Sequence, residues 1–341
     1  MAVYREDQVQ TRDIPTIGVT MGDPAGIGPE IILKSLAAAL TRDYFRPVVV
    51  GDLEAMERTA AQIGIDLQII PFDGSRRESR NVIEVIDLGN VHPELAAGVE
   101  SADAGRASAE YIVKAVELWR DKVIDAIATA PINKRSLNLG GYDFPGHTEF
   151  LAELTSTADF AMSFFAGKLR VVLLSTHVSL LDAIARVKKP ALIRLIEFTN
   201  VHLSALLARP VKIAVAGLNP HASEGGMFGN EEANEIAPAI EECRQNGIDV
   251  SGPYSPDTIF LRGHDGEFDA VIACYHDQAT IAVKSLAFGS AVNVTLGLPL
   301  IRTSVDHGTA FDKAGKGVAD ASSMTAAIEL AAELVSIRKR H

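Results

Sequence analysis

Short, unbroken runs of apolar residues alternate with longer amphipathic stretches from Ile14 onward. Strands that are covered on both faces have this continuous apolar character, whereas the helices of a layered domain are apolar on one side. The apolar runs predict strands at residues 14–20, 47–50, 67–70, 82–86, 126–128, 170–175, 212–216, 270–273 and 292–295. The amphipathic stretches predict helices at residues 30–39, 105–121, 190–207, 231–245 and 322–337. This alternation favours an α/β architecture with largely parallel sheets.

Size and charge narrow the classes of function. A chain of 341 residues is about two to three times the commonest domain size, which favours two domains. The apolar fraction of 47% and the charged fraction of 22% are ordinary for a globular protein and exclude wholesale disorder. A formal net charge of −12 argues against a general nucleic-acid surface or an anionic-membrane surface. We therefore expect neither nucleic acid nor membrane as a partner.

The cysteines and the first residues bear on localisation. Cys243 and Cys274 do not form a CxxC pair, so they provide no thiolate metal site and are typical of a reducing compartment. Residues 1–13 are polar, lack the apolar core of a signal peptide and predict a loose tail. No apolar run approaches the ~18–20 residues that span a bilayer. These features predict a cytoplasmic protein.

The first segment with chemical character is MGDPAGIGPE at residues 21–30, which follows a predicted strand and opens a predicted helix. It is not a phosphate loop, which needs GxxxxGK[ST], and Ile31 occupies the third glycine position of a dinucleotide fingerprint. Asp52 only imitates the ribose-binding acid of that fingerprint. Two interpretations of the glycines stay open, a tight strand-to-helix turn and an anion-binding helix N-terminus. Asp23 is a candidate functional carboxylate within this turn.

Three histidines, His177, His221 and His276, each follow a run of strand character. Ligands of open α/β sheets bind beyond the carboxyl ends of the strands. Three imidazoles at such an edge would form a divalent-metal site with open positions for substrate, the pattern of catalytic zinc. Asp277 would orient one ligand or contact the metal. A structural role for any one histidine stays open, because the spacing carries no local metal signature.

Two cations stand in contexts that favour binding of an anion. Lys284 follows the YHDQ segment by about two helical turns, and Arg302 follows a glycine-rich turn. Asn293 and Thr303 lie near them in the sequence. Most lysines and arginines are solvated surface charges, but this setting favours phosphate or carboxylate binding.

These segments form a larger set that keeps one order along the chain: MGDPAGIGPE, ATAPINK, GHTEF, STH, GLNPHASEGG, DTIF, YHDQ and VNVTLGLPLIRTSVDHGTA. The set resembles the 4-hydroxythreonine-4-phosphate dehydrogenase family of vitamin B6 synthesis, which includes 4-phospho-D-threonate dehydrogenases. The resemblance covers residues 14 to 335, approximately. It implies two α/β/α domains, isocitrate- and isopropylmalate-dehydrogenase-like, with the active site in the cleft between them. We expect a discontinuous first domain at 14–145 plus 303–341 and a second domain at 146–302, which carries most metal and substrate ligands.

The resemblance also implies roles for single residues. It implies that His177, His221 and His276 bind one divalent ion per site, which would be Zn, Mg, Mn or Co. The residues implied to bind substrate are His147, Thr148, Lys284, Asn293 and Arg302.

The loop DHGTAFDKAGKG, at residues 306–317, resembles the adenosine-binding loop of isopropylmalate and isocitrate dehydrogenases. The resemblance implies binding of NAD, or of NADP, through His307, Gly308 and Asp312. Lys284, His147 and Asp277 are the candidate catalytic groups, and the identity of the general base stays open.

The implied reaction is metal-assisted oxidation of a secondary alcohol by NAD, followed by decarboxylation of the β-keto acid. The first substrate to expect is 4-phosphooxy-L-threonine, which would give 3-amino-2-oxopropyl phosphate in pyridoxal phosphate biosynthesis. Relatives with the same motifs act on 4-phospho-D-threonate, 4-phospho-D-erythronate or aromatic cis-diol dicarboxylates. A non-catalytic metal- or phosphate-binding relative is a further alternative. Ala279 stands where the family often has glycine after YHDQ, which keeps the substrate open.

Assembly is the last expectation. The resemblance implies a homodimer with a shared active site. The apolar stretch FAMSFFA at residues 160–166 precedes the strand that leads to His177, and it predicts either ordinary core or a subunit contact.

Overall fold

A computed structural model describes residues 14–39, 44–74, 81–287 and 289–340, so the predicted tail at 1–13 lies outside the described residues. The strands in these ranges are β1 Thr16–Thr20, β2 Arg46–Gly51, β3 Gln68–Pro71, β4 Val82–Asp87, β5 Ala126–Thr129, β6 Ala161–Ala166, β7 Leu169–Leu173, β8 Ile213–Ala216, β9 Val250–Tyr254, β10 Ala270–Ala273, β11 Val292–Leu296 and β12 Ile301–Ser304. They form one sheet in the order β3-β4-β2-β1-β5-β12-β11-β6-β7-β10-β8-β9.

Helices connect the strands. Their bounds are α1 Gly28–Ala39, α2 Leu53–Ile63, α3 Ala102–Arg120, α4 Lys134–Leu139, α5 His147–Leu154, α6 Leu180–Ala185, α7 Lys189–Leu207, α8 Ala237–Gln245, α9 Ile259–Asp265, α10 His276–Leu286 and α11 Ser322–Lys339. A tight turn at Pro220–Gly226 and a π-helical turn at Glu232–Ile236 lie between β8 and α8. No helix within the described ranges is long and apolar enough to cross a membrane.

The two parallel parts of the sheet run in opposite directions. From β3 to β12 neighbouring strands are parallel, and so are the strands from β7 to β9. Between these parts, β12 with β11, β11 with β6 and β6 with β7 pair antiparallel. Three reversals place the carboxyl ends of β7, β10 and β8 at the sheet edge opposite to those of β1, β5 and β12. Binding sites beyond strand ends can therefore form at both edges.

The central strands are buried on both faces, which explains their unbroken apolar runs. On one face of β12, the Thr303 hydroxyl donates to the Ala327 carbonyl of α11 at 2.8 Å. Successive side chains of a strand point to opposite faces, so the neighbouring Arg302 faces away from α11. The packing of α11 thus leaves the other face of β12 to hold the guanidinium.

All nine predicted strands are present, with bounds that differ by at most two residues. The prediction missed β6, β9 and β12, and it missed the six helices α2, α4, α5, α6, α9 and α10. Residues 160–166 were predicted as core or as a subunit contact. Residues 161–166 form β6, in which Phe165 is only 2% exposed and Phe164 is also buried within the chain, so the core interpretation is correct for these two rings, whereas Phe160 is exposed.

The predicted chain crossings fall at two different kinds of structure. Residues 140–146 connect α4 to α5, whereas residues 297–305 contain β12. The proposed boundary between residues 302 and 303 therefore falls inside a strand that pairs in parallel with β5. The division into two domains stays a prediction, with β11 and β6 as the strands that join the two parallel parts.

Candidate active site

Arg302 is a buried cation at the centre of the sheet, and only 3% of its surface is exposed. Its Nη2 and Nε donate to the Thr129 hydroxyl at 2.9 and 3.2 Å, and its Nη1 donates to the Thr295 hydroxyl at 3.2 Å. Burial lowers the pKa of Arg302 to about 10, against the opposing effect of Glu149, so the guanidinium is charged at neutral pH. No carboxylate of the described residues forms an ion pair with it. Since a buried charge without a partner is costly, this site fits an anionic ligand.

His147 lies beside this cation at the first position of α5, after Gly146. Its Nε2 is buried and has no hydrogen-bond partner among the described residues. Burial, with Arg302 as the second cause, lowers the pKa of His147 well below its ordinary value. The imidazole is therefore neutral at neutral pH. Thr148 follows in the first turn of α5, where free backbone N–H groups favour an anion.

Asn293 adds a further unpartnered polar group. It lies on β11 opposite Ser304 of β12, and its Oδ1 is buried without a hydrogen-bond partner in the described structure. Because alternate residues of a strand share a face, Asn293 lies on the same face as Thr295, which contacts Arg302. The structure thus brings four predicted substrate ligands to one region. We call His147, Thr148, Asn293 and Arg302, with Thr129 and Thr295, the anion pocket.

Sequence reasoning missed Thr129 and Thr295 as partners of Arg302. Thr129 belongs to the segment ATAPINK and Thr295 to VNVTLG, so both lay within recognised motifs. The missing information was the strand pairing, because β5 and β11 both lie next to β12 only in the folded sheet. Hydroxyl groups on the two flanking strands then reach the guanidinium between them.

A second site lies at the carboxyl ends of β7 and β10. The ring centres of His177 and His276 are 5.7 Å apart. His276 Nδ1 is 2.8 Å from Asp277 Oδ1, a hydrogen bond that orients the ring. These side chains line a pocket of about 290 Å³, which we call the histidine pocket; its lining residues are Thr176, His177, Val178, Ser179, Leu180, Ala183, Tyr275, His276 and Asp277.

The histidine pocket fits part of a metal site. Two imidazoles at this separation suit one shared ion with N–Zn distances of about 2.0–2.1 Å. His221, the third predicted ligand, follows β8 and is exposed, with 62% of its side chain accessible. Its Nδ1 is 3.9 Å from Asp257 Oδ2, an acid of the DTIF motif that sequence reasoning did not single out. Among the described residues no three His, Cys, Asp or Glu side chains stand as ligands of one ion. The structure therefore brings together two of the three predicted ligands.

Lys284 does not reach the anion pocket within the chain. It lies on the exposed side of α10 and forms no ion pair with a described residue. Asp277 precedes it by seven residues, so the two side chains lie on the same face of the helix. Of the candidate catalytic groups, Asp277 thus lines the histidine pocket, Lys284 lies about two turns further along α10, and His147 belongs to the anion pocket at the other part of the sheet.

The predicted cofactor loop follows β12 and is attached to α1. Glu30 is buried and accepts hydrogen bonds from the Ala319 N–H at 2.7 Å and the Gly317 N–H at 3.2 Å. Lys34 donates to the carbonyls of the same two residues at 2.8 and 3.0 Å. This loop carries His307, Gly308 and Asp312, and the buried His307 Nε2 has no partner in the described structure.

Gly308 has no structural requirement for glycine. Its backbone is not left-handed, and a Cβ built there has no atom within 4 Å. Neither packing nor backbone conformation requires glycine at this position. The lack of a side chain here would allow a ligand to approach the backbone closely. The loop therefore fits a nucleotide cofactor at this position.

The glycines of MGDPAGIGPE have a structural explanation instead. A Cβ on Gly28 would lie 2.2 Å from the Met21 carbonyl oxygen, and one on Gly22 would lie 2.4 Å from the Pro131 oxygen. Asp52 caps α2 by accepting from the Ala55 N–H at 2.8 Å, which accounts for its position. Of the two interpretations of the glycines, the tight turn is correct for both positions.

Asp23 of the same turn is a fully buried carboxyl group. Its Oδ1 accepts from the Ala25 N–H at 2.9 Å, while Oδ2 has no hydrogen-bond partner among the described residues. Burial raises the pKa of Asp23 to about 6, although the hydrogen bonds oppose this. The side chain therefore changes charge close to neutral pH.

Comparison with known proteins places the chain among relatives of similar length. Residues 43–331 match the family described as pyridoxal phosphate biosynthetic protein PdxA. The D-threonate 4-phosphate dehydrogenase of Cupriavidus necator is 48% identical over 95% of this chain and 98% of the relative. The 4-hydroxythreonine-4-phosphate dehydrogenase of Desulforapulum autotrophicum is 44% identical over 94% of this chain and 96% of the relative.

Solved structures agree with the fold. The crystal structure of 4-hydroxythreonine-4-phosphate dehydrogenase from Klebsiella pneumoniae has a TM-score of 0.87 and 44% identity, and covers 94% of this chain and 99% of the other. A terephthalate 1,2-cis-dihydrodiol dehydrogenase from Burkholderia xenovorans has a TM-score of 0.62 and 29% identity, over 94% of this chain and 98% of the other. The sheet and its helices are thus those of a known group of dehydrogenases.

Proposed function

The chain belongs to the PdxA family of pyridoxal phosphate biosynthetic proteins, and on that premise we propose that it is an oxidoreductase acting on a CH–OH group. It oxidises the secondary alcohol of a small phosphorylated hydroxy acid with NAD, with the help of a divalent metal ion, and the β-keto acid then loses CO₂. Relatives at 48% and 44% identity are named as dehydrogenases of such compounds.

The buried, unpaired guanidinium of Arg302 carries this proposal. A phosphate group in the anion pocket would supply the missing negative charge and accept the N–H groups that the two threonines leave free. The N-terminus of α5 with Thr148, and Asn293 on β11, supply further hydrogen-bonding groups. We therefore assign the phosphate of the substrate to the anion pocket.

His147 is the first candidate for the general base. Its lowered pKa keeps the imidazole neutral at neutral pH, and a neutral imidazole can accept the proton of a substrate hydroxyl. Lys284 and Asp277 are the alternatives, on the side of the histidine pocket. If His147 is the base, His147→Gln lowers kcat and leaves metal affinity unchanged, whereas a phosphate contact alone would raise the substrate KM.

The metal proposal assigns His177, His221 and His276 as ligands of one ion. When bound, the ion supplies Lewis-acid stabilisation of negative charge on a substrate oxygen. Two of these imidazoles already share the histidine pocket. Asp277 fixes the orientation of His276 through the 2.8 Å hydrogen bond. Zn, Mg, Mn and Co all fit the proposal.

We assign the cofactor NAD, or NADP, to the loop that carries His307, Gly308 and Asp312. The open space next to Gly308 and the unpartnered Nε2 of His307 support this assignment. The hydrogen bonds that Glu30 accepts and Lys34 donates would keep the loop in place when the cofactor is absent.

We further propose a homodimer whose two chains share each active site. The two pockets lie at different parts of the sheet, and strand reversal directs the ends of β5 and β7 to opposite edges. The two helices that contribute to the histidine pocket, α6 and α10, carry exposed apolar residues, namely Leu180, Leu181, Ile184 and Ile281. A two-fold axis would bury this patch against its own copy and bring a histidine pocket towards an anion pocket of the partner.

The dimer proposal has a direct test. Inactive His221→Ala and inactive Lys284→Ala proteins are mixed under conditions that exchange subunits, with two affinity tags to verify heterodimers. Partial recovery of activity supports a site in which the two residues come from opposite chains. Verified heterodimers without recovery contradict that assignment alone, while sedimentation of a fully active monomer contradicts the dimer.

The substrate we propose first is 4-phospho-D-threonate, because the relative at 48% identity is named D-threonate 4-phosphate dehydrogenase. The expectation from the motifs, 4-hydroxythreonine 4-phosphate, is the second candidate and matches the name of the relative at 44% identity. The two compounds differ at C2, which carries a hydroxyl group in one and an ammonium group in the other.

A substrate panel tests the function. The purified protein with NAD and Mn²⁺ or Zn²⁺ is given 4-phospho-D-threonate, 4-phospho-D-erythronate and 4-hydroxythreonine 4-phosphate, and NADH and CO₂ are both measured. NADH with equimolar CO₂ for one compound supports the proposal. Formation of NADH without CO₂ contradicts the decarboxylation only. If neither NAD nor NADP is reduced with any of the compounds, the dehydrogenase proposal is wrong.

A further inference from the structure

Five consecutive residues after β8 adopt the left-handed conformation. Their φ angles include 52° at His221 and 69° at Gly225, and the four residues from His221 to Glu224 are not glycine. Each such residue costs of the order of 1–2 kcal/mol relative to an ordinary helical conformation. A strained turn of this length persists only where its surroundings hold it.

Glu232 anchors the entry of this turn, together with Glu231, whose Oε2 accepts from Asn219 Nδ2 at 2.7 Å. Only 3% of its surface is exposed, and its Oε1 accepts hydrogen bonds from the Leu218 N–H at 2.8 Å and the Asn219 N–H at 2.7 Å. Its Oε2 accepts from Asn219 Nδ2 at 2.9 Å. Glu232 opens the π-helical turn at Glu232–Ile236, a geometry that is frequent at functional sites.

Gly217 shows how closely these groups pack. A Cβ on Gly217 would lie 2.9 Å from Ala222 Cα and 3.2 Å from Glu232 Oε1. The carboxylate therefore presses against the strand end from which the His221 turn departs. The backbone N–H groups of Leu218 and Asn219, where the turn begins, point directly at this carboxylate.

Gln278 connects this turn to the segment of His276. Its Oε1 accepts from the Cys274 N–H at 2.7 Å, and its Nε2 donates to the Gly217 carbonyl at 2.8 Å. One side-chain amide thus joins the end of β10, two residues before His276, to the end of β8, four residues before His221. The side chain of Gln278 does not line the histidine pocket.

We propose that Glu232 and Gln278 are positioning residues that set His221 relative to His276, so that both imidazoles approach one metal ion. Glu232 anchors the entry of the left-handed turn, and Gln278 continues the link between β8 and β10 beyond their last paired residues, Val215 and Ile272. This inference rests on the proposed metal function. It gives a role to a buried carboxylate and a side-chain amide that join the two loops past the end of the strand ladder.

The test compares Glu232→Gln with the matched control Glu235→Gln. Gln at 232 keeps Oε1 but places an NH₂ group against Asn219 Nδ2. Glu235 lies in the same π-helical turn, and it accepts from the Lys189 N–H at 2.8 Å rather than from the His221 turn. Loss of an outer partner of a metal ligand lowers affinity about 10- to 100-fold. We expect a Co²⁺ affinity about tenfold lower and an altered Co²⁺ absorption spectrum for Glu232→Gln, with KM for NAD unchanged, and no change for the control.

Hydrogen exchange in the metal-free protein separates this inference from the proposed function. Faster exchange of residues 217–226 in Glu232→Gln than in wild type and control supports the positioning role, even where wild type binds no metal. Wild type without Co²⁺ affinity contradicts the proposed metal site. Unchanged exchange together with unchanged Co²⁺ affinity overturns the inference. If Glu232→Gln fails to fold, Gln278→Glu is used in its place. A carboxylate at position 278 would repel the Gly217 carbonyl but would still accept the hydrogen bond from the Cys274 N–H. The same measurements of exchange and Co²⁺ affinity then support or overturn the inference.

Discussion

The anion pocket and the histidine pocket differ in how far one chain completes them. Arg302 is 3% exposed and held by hydroxyls of two neighbouring strands, whereas His177 is exposed and the His276 side chain, 39% exposed, bonds the neighbouring Asp277. The anion pocket is built around a cation and polar atoms, including His147 Nε2 and Asn293 Oδ1, that the fold has buried before any ligand arrives. The histidine pocket consists of groups that two strand ends present to solvent.

This difference has an energetic consequence. A buried cation and a buried carboxyl group without full partners lower the stability of the empty protein, and a ligand of opposite charge recovers that energy. Exposed imidazoles carry almost no such cost. Substitutions in the anion pocket should therefore change stability and function together, whereas those in the histidine pocket should change function alone.

The largest effect is expected for Arg302→Gln. The variant removes a desolvated charge that binds the substrate phosphate, a loss of about 3–4 kcal/mol, so kcat/KM should fall about 10²- to 10³-fold. Without ligand the melting temperature should rise, because an unpaired buried cation is gone. NADH formation and thermal unfolding of the same preparation measure both. A strongly lowered melting temperature would show that Arg302 is a structural residue and would break the comparison.

His276→Ala should lower the affinity for Co²⁺ or Zn²⁺ by at least about 100-fold, since one ligand of the proposed site is lost. The melting temperature of the metal-free protein should hardly change, because the substitution of an exposed side chain alters the free energy of unfolding by no more than about 0.5 kcal/mol. His147→Ala is the control, with unchanged metal affinity. Titration calorimetry gives the affinities. Equal losses in both variants would contradict the separation of the pockets.

The pH dependence of Asp23→Asn sharpens the energetic argument. The pKa of Asp23 is about 6 in the folded protein, against an ordinary value of 3.8 for the unfolded chain, so folding binds a proton between these values. The stability that this proton contributes is present below pH 3.8 and is lost as pH rises through 6. When pH rises from about 4.5 to 8, the wild type should therefore lose about 2 kcal/mol of its free energy of unfolding relative to Asp23→Asn. Urea unfolding of both proteins at both pH values checks this. A difference in free energy of unfolding between wild type and variant that is the same at the two pH values would contradict the raised pKa of Asp23.

Glycine substitutions give the smallest effect. Gly308→Val should raise KM for NAD about tenfold at unchanged stability, because the new side chain occupies open space where the cofactor approaches. Gly28→Ala should instead lower stability by about 1–3 kcal/mol, since its Cβ would meet the Met21 oxygen at 2.2 Å. Steady-state kinetics and thermal unfolding distinguish the two. A raised KM for NAD in Gly28→Ala but not in Gly308→Val would indicate that the cofactor binds at the N-terminal turn instead.

Much of this architecture could be predicted from the residues alone. Unbroken apolar runs located nine strands, because a strand covered on both faces admits no polar alternation. The positions of His177, His221 and His276 after predicted strands indicated a shared sheet edge, and the structure brings His177 and His276 together there. The tight turn, one of the two interpretations of the N-terminal glycines, agrees with the crowding at Gly22 and Gly28.

Other features depended on tertiary structure. An apolar run specifies burial but not direction, so nothing in the runs of β6 and β11 indicated that they reverse the sheet and separate the two pockets. The hydroxyls that hold Arg302 come from strands 173 and 7 residues away in sequence, and only strand pairing makes them neighbours. The left-handed turn of His221 likewise depends on its surroundings, because no local preference favours four non-glycine residues at positive φ. Local residue patterns thus determined which segments are buried and which carry chemistry, whereas long-range pairing decided which of those groups meet.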